Sequence, residues 1–324
     1  MTAETVTAVT QEQEFLPSQR PVVLDVDGSV GHLLGELRLP LAQWQEGVRF
    51  GCGLSRFAQF SAELNAALPR HHGTVFMGSG DFHHLSWPLI ERCIAQQGFA
   101  PDRPPHQRLR VVVLDNHPDN MRFPWGVHCG SWVRRVALHP AVAQVHVAGI
   151  TSGDIGRRHA WENYLAPLRA GKLTYWSCGV DTGWARRVGA AQAFRSFGSV
   201  AELAQALAST LSEQPQPTYL SIDKDVFAPE VVRTNWDQGR MLEGDARQII
   251  EALRGQIVGS DVTGDVSSWR YTTWWKRLMS AGDGQDTEID AATLAHWQAG
   301  QHAFNQRLFE QIAEAGATGE NCPP

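Results

Sequence analysis

Seven short, mostly apolar runs punctuate the chain, at 21–24, 74–77, 109–114, 144–148, 173–176, 218–222 and 256–262. They are continuous rather than alternating, the pattern of strands buried on both faces of a parallel sheet. Stretches long enough for helices separate them. Leu203, Leu207 and Leu211 recur every four residues and predict an amphipathic helix over 199–211. Residues 244–253 and 291–315 read the same way. Ser86-Trp87-Pro88 predicts a helix start, with Ser86 as N-cap and the helix continuing through 89–94. Strand and helix alternating throughout predict an α/β fold with helices on both faces of a mainly parallel sheet. With no long Ser/Gly/Pro linker and no internal repeat, a single domain over 21–316 is expected. Residues 1–20 and 317–324 read as flexible ends, and 281–288 as a polar loop.

Composition narrows the classes. With 324 residues, 43% of them apolar and 19% charged, the chain can bury a full core without disulfide or metal staples. The formal charge of -6 argues against nucleic acid or anionic lipid as partner. No apolar run approaches the ~18–20 residues that a membrane span requires. The first residues, MTAETVTAVTQEQEF, lack the basic and apolar regions of a secretory signal. Cys52, Cys93, Cys129, Cys178 and Cys322 are an odd, scattered set without a CxxC pair. They read as reduced thiols, and a cytoplasmic location is the expectation.

Functional residues of open α/β sheets collect beyond the carboxyl ends of the strands. Three of the predicted strands are followed there by Asp and His clusters: Gly80-Asp81-Phe82-His83-His84, Asp115-Asn116-His117-Pro118-Asp119 and Asp223-Lys224-Asp225. Alternate residues of an extended segment share a face, so Asp115, His117 and Asp119 project together, as do Asp223 and Asp225. Carboxylates crowded at one rim repel and raise each other's pKa unless cations neutralise them. Mixed carboxylate and imidazole donors favour Mn, Zn, Fe or Ni over calcium. The donors suffice for two ions, a pair able to activate a water molecule between them.

These three segments, in this order, resemble the metal motifs of the arginase/agmatinase (ureohydrolase) family, normally Gly-Gly-Asp-His, D-A-H-x-D and S-x-D-x-D. The resemblance covers about residues 70–265 and implies a three-layer α/β/α sandwich. It implies two divalent ions, Mn2+ first, with Zn2+, Ni2+ or Fe2+ as alternatives. Asp115 and Asp223 would bridge them, Asp119 and a histidine of the first motif would complete one set, and His117 and Asp225 the other. Two histidines follow Asp81 where the family has one, and His84, nearer the predicted helix start, is preferred over His83. Asp119 and His128, the latter in Gly126-Val127-His128-Cys129-Gly130, are the catalytic candidates. His128 is equally well read as a loop histidine bonded to backbone. Metal-activated water would attack the planar carbon of a small guanidino or amidino compound, and a homo-oligomer, trimer or hexamer, is implied.

Several positions depart from the family pattern. Where a Glu normally holds the guanidinium, Gly264 stands, followed by Asp265. Asp265 or Asp237 could supply the missing carboxylate, since a buried planar cation without one is costly. Asn235 and Trp236, in the segment Arg233-Thr234-Asn235-Trp236-Asp237-Gln238-Gly239, are further candidates for the substrate pocket. Trp269, Tyr271, Trp274 and Trp275 form a dense aromatic cluster, read as interface or core before a binding cage. Two rival readings remain. Zinc-dependent deacetylases of the same superfold would act on an amide. The segment from Val22 to Ser29, with Asp25 and Asp27, resembles the first motif of haloacid-dehalogenase-type phosphatases.

Overall fold

The computed structural model describes residues 19–282 and 288–316. The expected flexible ends, save residues 19 and 20, and most of the predicted 281–288 loop lie outside the described residues. All seven predicted strands are present, as Val22–Asp25, Val75–Phe76, Leu109–Leu114, Val142–Ile150, Leu173–Cys178, Thr218–Asp223 and Ile257–Thr263. Leu37–Pro40 and Phe194–Phe197 add the two edges of the same nine-stranded sheet. At four residues each, LRLP and FRSF are too short and mixed to announce themselves, and Pro40 is tolerated because it lies on an edge strand.

Across the sheet the order is Leu37–Pro40, Val22–Asp25, Val75–Phe76, Ile257–Thr263, Thr218–Asp223, Leu109–Leu114, Val142–Ile150, Leu173–Cys178, Phe194–Phe197. Every neighbouring pair is parallel. Side-chain alternation divides the core into two layers. Val111 and Val113 join Phe57, Phe60 and Ile90 on one face. Val112 and Leu114 join Leu203, Leu207, Ile249 and Phe304 on the other. Helices Leu54–Ala67 and Ser86–Gln97 thus cover one face, and Val200–Glu213, Glu243–Ala252 and Ala291–Gly316 the opposite one. The result is a three-layer α/β/α sandwich.

The predicted caps divide. Ser199 does cap its helix, its hydroxyl accepting from Glu202 N at 3.2 Å. Ser86 does not. A 3-10 turn, Gly80–Leu85, runs directly into the helix Ser86–Gln97. The Ser86 hydroxyl instead donates to Asp261 Oδ1 at 3.0 Å. Among the described residues no helix is long and apolar enough to cross a membrane.

Candidate metal centre

Strand order explains how three remote segments meet. Leu109–Leu114 and Thr218–Asp223 are neighbours, and Val75–Phe76 lies one strand beyond Ile257–Thr263. Their carboxyl ends therefore open on one rim. After Val75–Phe76 the turn is tight: a Cβ on Gly80 would stand 3.1 Å from both Asp223 Oδ2 and Trp236 Cδ1. The turn then aims His83 inward. Its Nδ1 lies 2.9 Å from Asp119 Oδ2, 3.2 Å from Asp115 Oδ2 and 3.5 Å from Asp223 Oδ2. His83, rather than the preferred His84, is thus the ring that faces the carboxylates. His84 turns into the core beside Phe57, 5.8 Å between ring centroids, and burial pushes its pKa well below the usual histidine value. The helix begins without a side-chain cap, and the 3-10 turn decides which ring faces the rim.

The second segment folds on itself, Asp115 Oδ1 accepting from His117 N at 2.6 Å. His117 Nδ1 reaches Asp225 Oδ2 at 2.9 Å and Asp115 Oδ1 at 3.6 Å. Asp119 adopts φ +47, a left-handed conformation that Asp tolerates better than most residues. Trp132 Nε1 fixes its carboxylate by donating to Oδ2 at 2.6 Å. On the third segment Asp223 Oδ1 accepts from Asp225 N at 3.1 Å, and Asp225 Oδ1 accepts from Asn116 N at 3.1 Å.

Asp115, Asp119, Asp223 and Asp225 are all buried. Burial raises the pKa of Asp119 to about 7, with the nearby Asp115 charge adding to it. Burial likewise takes Asp225 to about 7, and Asp223 well above the carboxylate range with the charge of Asp225 behind it. Asp115 goes the other way: although burial opposes it, hydrogen bonds with His117 and His83 hold it below its usual value. Such a set demands positive charge. Two triads, His83/Asp115/Asp119 and Asp115/His117/Asp225, each bring their donor atoms within 4.8 Å of one another, with Asp115 common to both.

The outer nitrogens of both imidazoles are engaged. His83 Nε2 contacts Ser221 Oγ at 3.0 Å, and that hydroxyl donates to Asp261 Oδ1 at 2.6 Å. His117 Nε2 contacts Asp237 Oδ1 at 2.7 Å. Partners on the far side fix ring orientation and leave Nδ1 for an ion. Asp115 Oδ2 is moreover a buried oxygen without a well-formed hydrogen bond. On donor chemistry and on these orientations, the residues fit two borderline divalent cations.

The residues expected at the substrate have partners within the chain. Asp265 is buried against Lys224, Oδ1 to Nζ 2.8 Å, and accepts from Asn305 Nδ2 at 2.8 Å. It is tied to a buried cation, Lys224, which lies in the 3-10 turn Lys224–Val226 that follows the strand Thr218–Asp223. Gly264 cannot carry a side chain: with φ +90, its Cβ would meet Asp223 Oδ1 at 2.5 Å. Asn235 staples its loop to residue 267, accepting from Ser267 N at 2.8 Å and donating to Ser267 O at 2.9 Å. Asp237 joins His117, as above. Trp236 stands against the cluster, its ring 6.1 Å from His117 and stacked on Phe50 at 6.2 Å.

His128 has the backbone-bonded environment. Its Nδ1 accepts from Gly130 N at 3.0 Å, Phe50 and Phe123 pack on its ring, and burial lowers its pKa to about 4. Neither triad includes it. Trp269, Tyr271 and Trp275 pack with Phe50, while Trp274 is exposed. Asp25 pairs with Arg38 at 3.3 Å and Asp27 with the buried Arg49 at 3.2 Å. Arg49 also holds Asp81, Nε to Oδ2 2.6 Å, and the phosphatase reading is not favoured. Arg49 and Trp132 went unnoticed in the sequence, since a lone Arg or Trp in an apolar stretch carries no spacing signal.

Known proteins resemble this chain in sequence and in fold. An uncharacterized protein of Thermotoga maritima is 25% identical over 219 residues, 67% of each chain. The proclavaminate amidino hydrolase of Streptomyces clavuligerus superposes with a TM-score of 0.51 at 16% identity, covering 92% of this chain and 94% of its own. A variant formiminoglutamase of Trypanosoma cruzi, solved with Mn2+, gives 0.50 at 12% identity, covering 95% and 96%. The arginase family itself matches residues 30–264, a span that contains all three Asp/His segments. On that match, well over half its length, the chain belongs to the arginase family.

Proposed function

We propose that the protein is a two-metal hydrolase of linear carbon–nitrogen bonds, acting on a small guanidino or amidino compound with release of urea or an analogue. The observation that carries this is Asp115, shared by two donor triads at one strand rim. His83, Asp115 and Asp119 would hold one ion, and Asp115, His117 and Asp225 the other, with Asp223 beside the first. Bound divalent ions lower the pKa of water towards neutrality and act as Lewis acids. The chain's own part is to place them: Trp132 and Asp119, Ser221 and His83, Asp237 and His117 are outer and inner partners in that placement. Trp236 stands at the rim beside His117 and Phe50. Manganese as the metal, a homo-oligomeric assembly and a cytoplasmic location belong to the same reading.

The occupied state of Asp265 bears on the substrate. With its carboxylate committed to Lys224, and Gly264 without a side chain, a cationic head would have to be recognised elsewhere on the rim. The test is to load the protein with Mn2+ and assay arginine, agmatine, guanidinobutyrate, formiminoglutamate and acetylated polyamines for urea, ammonia, formamide or acetate. Urea, ammonia or formamide supports the reading. Acetate alone would replace it with the deacetylase.

A further inference from the structure

His83 and His117 present the same nitrogen, Nδ1, to the carboxylates, but different devices hold them there. His83 leans on a relay wholly inside the protein, Ser221 and then Asp261. His117 sits at the surface end of the cluster, and what holds it is Asp237, whose side chain is 63% exposed. An exposed carboxylate is a poor anchor unless something restrains it, because water competes for its hydrogen bonds and its rotamers are open.

Asn116 supplies the restraint. Its Nδ2 donates to Asp237 O at 3.1 Å and to Oδ2 at 3.3 Å, gripping backbone and side chain of one residue together. Its own amide is set from the other side, where Oδ1 accepts from Thr151 N at 3.0 Å and Thr151 Oγ1 at 2.7 Å. The backbone donor on Oδ1 forbids the flipped amide, so Nδ2 must face Asp237. The remaining oxygen of that carboxylate, Oδ1, is then directed at His117 Nε2, 2.7 Å away. Trp236, the preceding residue, packs an edge against the His117 ring and limits its rotation.

We infer that Asp237, steered by Asn116 and Thr151, is the positioning residue that aims His117 Nδ1 at the Asp115/His117/Asp225 triad. This rests on the two-metal reading above. It gives Asp237 a role through the ligand rather than on the substrate, and makes Asn116 part of the site through its side chain.

The test is calorimetric titration of the metal-free full-length protein with Mn2+, for wild type, Asp237→Ala, Asp237→Asn and Asn116→Ala, alongside kcat and KM for whichever substrate turns over. The wild type takes up two ions. Asp237→Ala weakens one of the two steps by about 10–100-fold, the usual effect of losing such a partner, and leaves the other within about twofold. Asp237→Asn recovers only part of that loss, because an amide oxygen accepting from Nε2–H sets the new NH2 against the donor Asn116 Nδ2. Asn116→Ala falls between. Two unchanged steps in Asp237→Ala overturn the inference while the two-metal reading stands, and so does a raised KM with unchanged metal binding, which would mark a direct substrate contact. A wild type that binds no Mn2+ overturns both.

Discussion

Lys224 Nζ stands 2.8 Å from Asp265 Oδ1, and neither side chain is exposed to solvent. Lys224 lies between Asp223 and Asp225 in sequence, in the 3-10 turn after the strand, yet its ammonium is engaged by Asp265 and Asn305. The pair commits the Asp265 carboxylate to a buried cation. Removing one partner of a buried pair leaves the other charge unpaired, at a cost of about 3–5 kcal/mol. Asp265→Asn should lose stability on that scale in chemical denaturation, with KM unchanged, and Lys224→Met combined with Asp265→Leu should regain most of it. A raised KM at unchanged stability would return Asp265 to the substrate.

The two histidines of the first segment are separable by experiment. His83→Ala removes the ring that reaches three carboxylates and should lower metal affinity and kcat/KM by at least about 100-fold, as expected for a direct ligand rather than an outer partner. His84→Leu fills a buried site next to Phe57 and should alter stability while leaving metal stoichiometry as in the wild type. The reverse pattern would restore His84 as ligand.

Metal stabilisation should grow with pH. Asp119 and Asp225, buried and raised from 3.8 to about 7, stay protonated in the folded metal-free protein after the unfolded chain has released its protons. Over that window the folded state holds more protons, so these two groups contribute less stability as pH rises through it. An ion needs the deprotonated forms. The rise in Tm on adding Mn2+ should therefore be larger at pH 8 than at pH 5.5, and a rise independent of pH would mean that the carboxyls are not ligands.

Asp27 and Arg49 offer a test of the phosphatase alternative. Both side chains are 1% exposed, so Asp27→Asn should destabilise the fold by about 3–5 kcal/mol without abolishing activity per folded molecule. Asp25→Ala, at the partly exposed carboxyl end of the strand Val22–Asp25, should retain activity, while Asp223→Ala should lose it. Loss at Asp25 with survival at Asp223 would favour the phosphatase.

What the sequence made legible follows from what has a period. The seven buried strands stood out because each is apolar on both faces, and Leu203, Leu207 and Leu211 stood out because their spacing repeats. Asp115, His117, Asp119, Asp223 and Asp225 could be placed because they end such strands. The edge strands could not, since four residues half in water have no pattern. Choosing between His83 and His84 required the 3-10 turn, a matter of local backbone rotation that adjacent identical residues conceal. Asp265, Asn235 and Asp237 were recognised as near the rim but not for what they touch. Their partners, Lys224, Ser267 and His117, lie across loops whose closure depends on the whole fold.

The most direct test of the account is the number of metal ions bound per chain. The protein is stripped with chelator, loaded with Mn2+, freed of excess metal and analysed for elemental content beside Asp115→Ala. The account predicts two ions per wild-type chain and loss of both, or retention of one only weakly, once the shared carboxylate is gone. One ion per wild-type chain, or two that survive in Asp115→Ala, would contradict it.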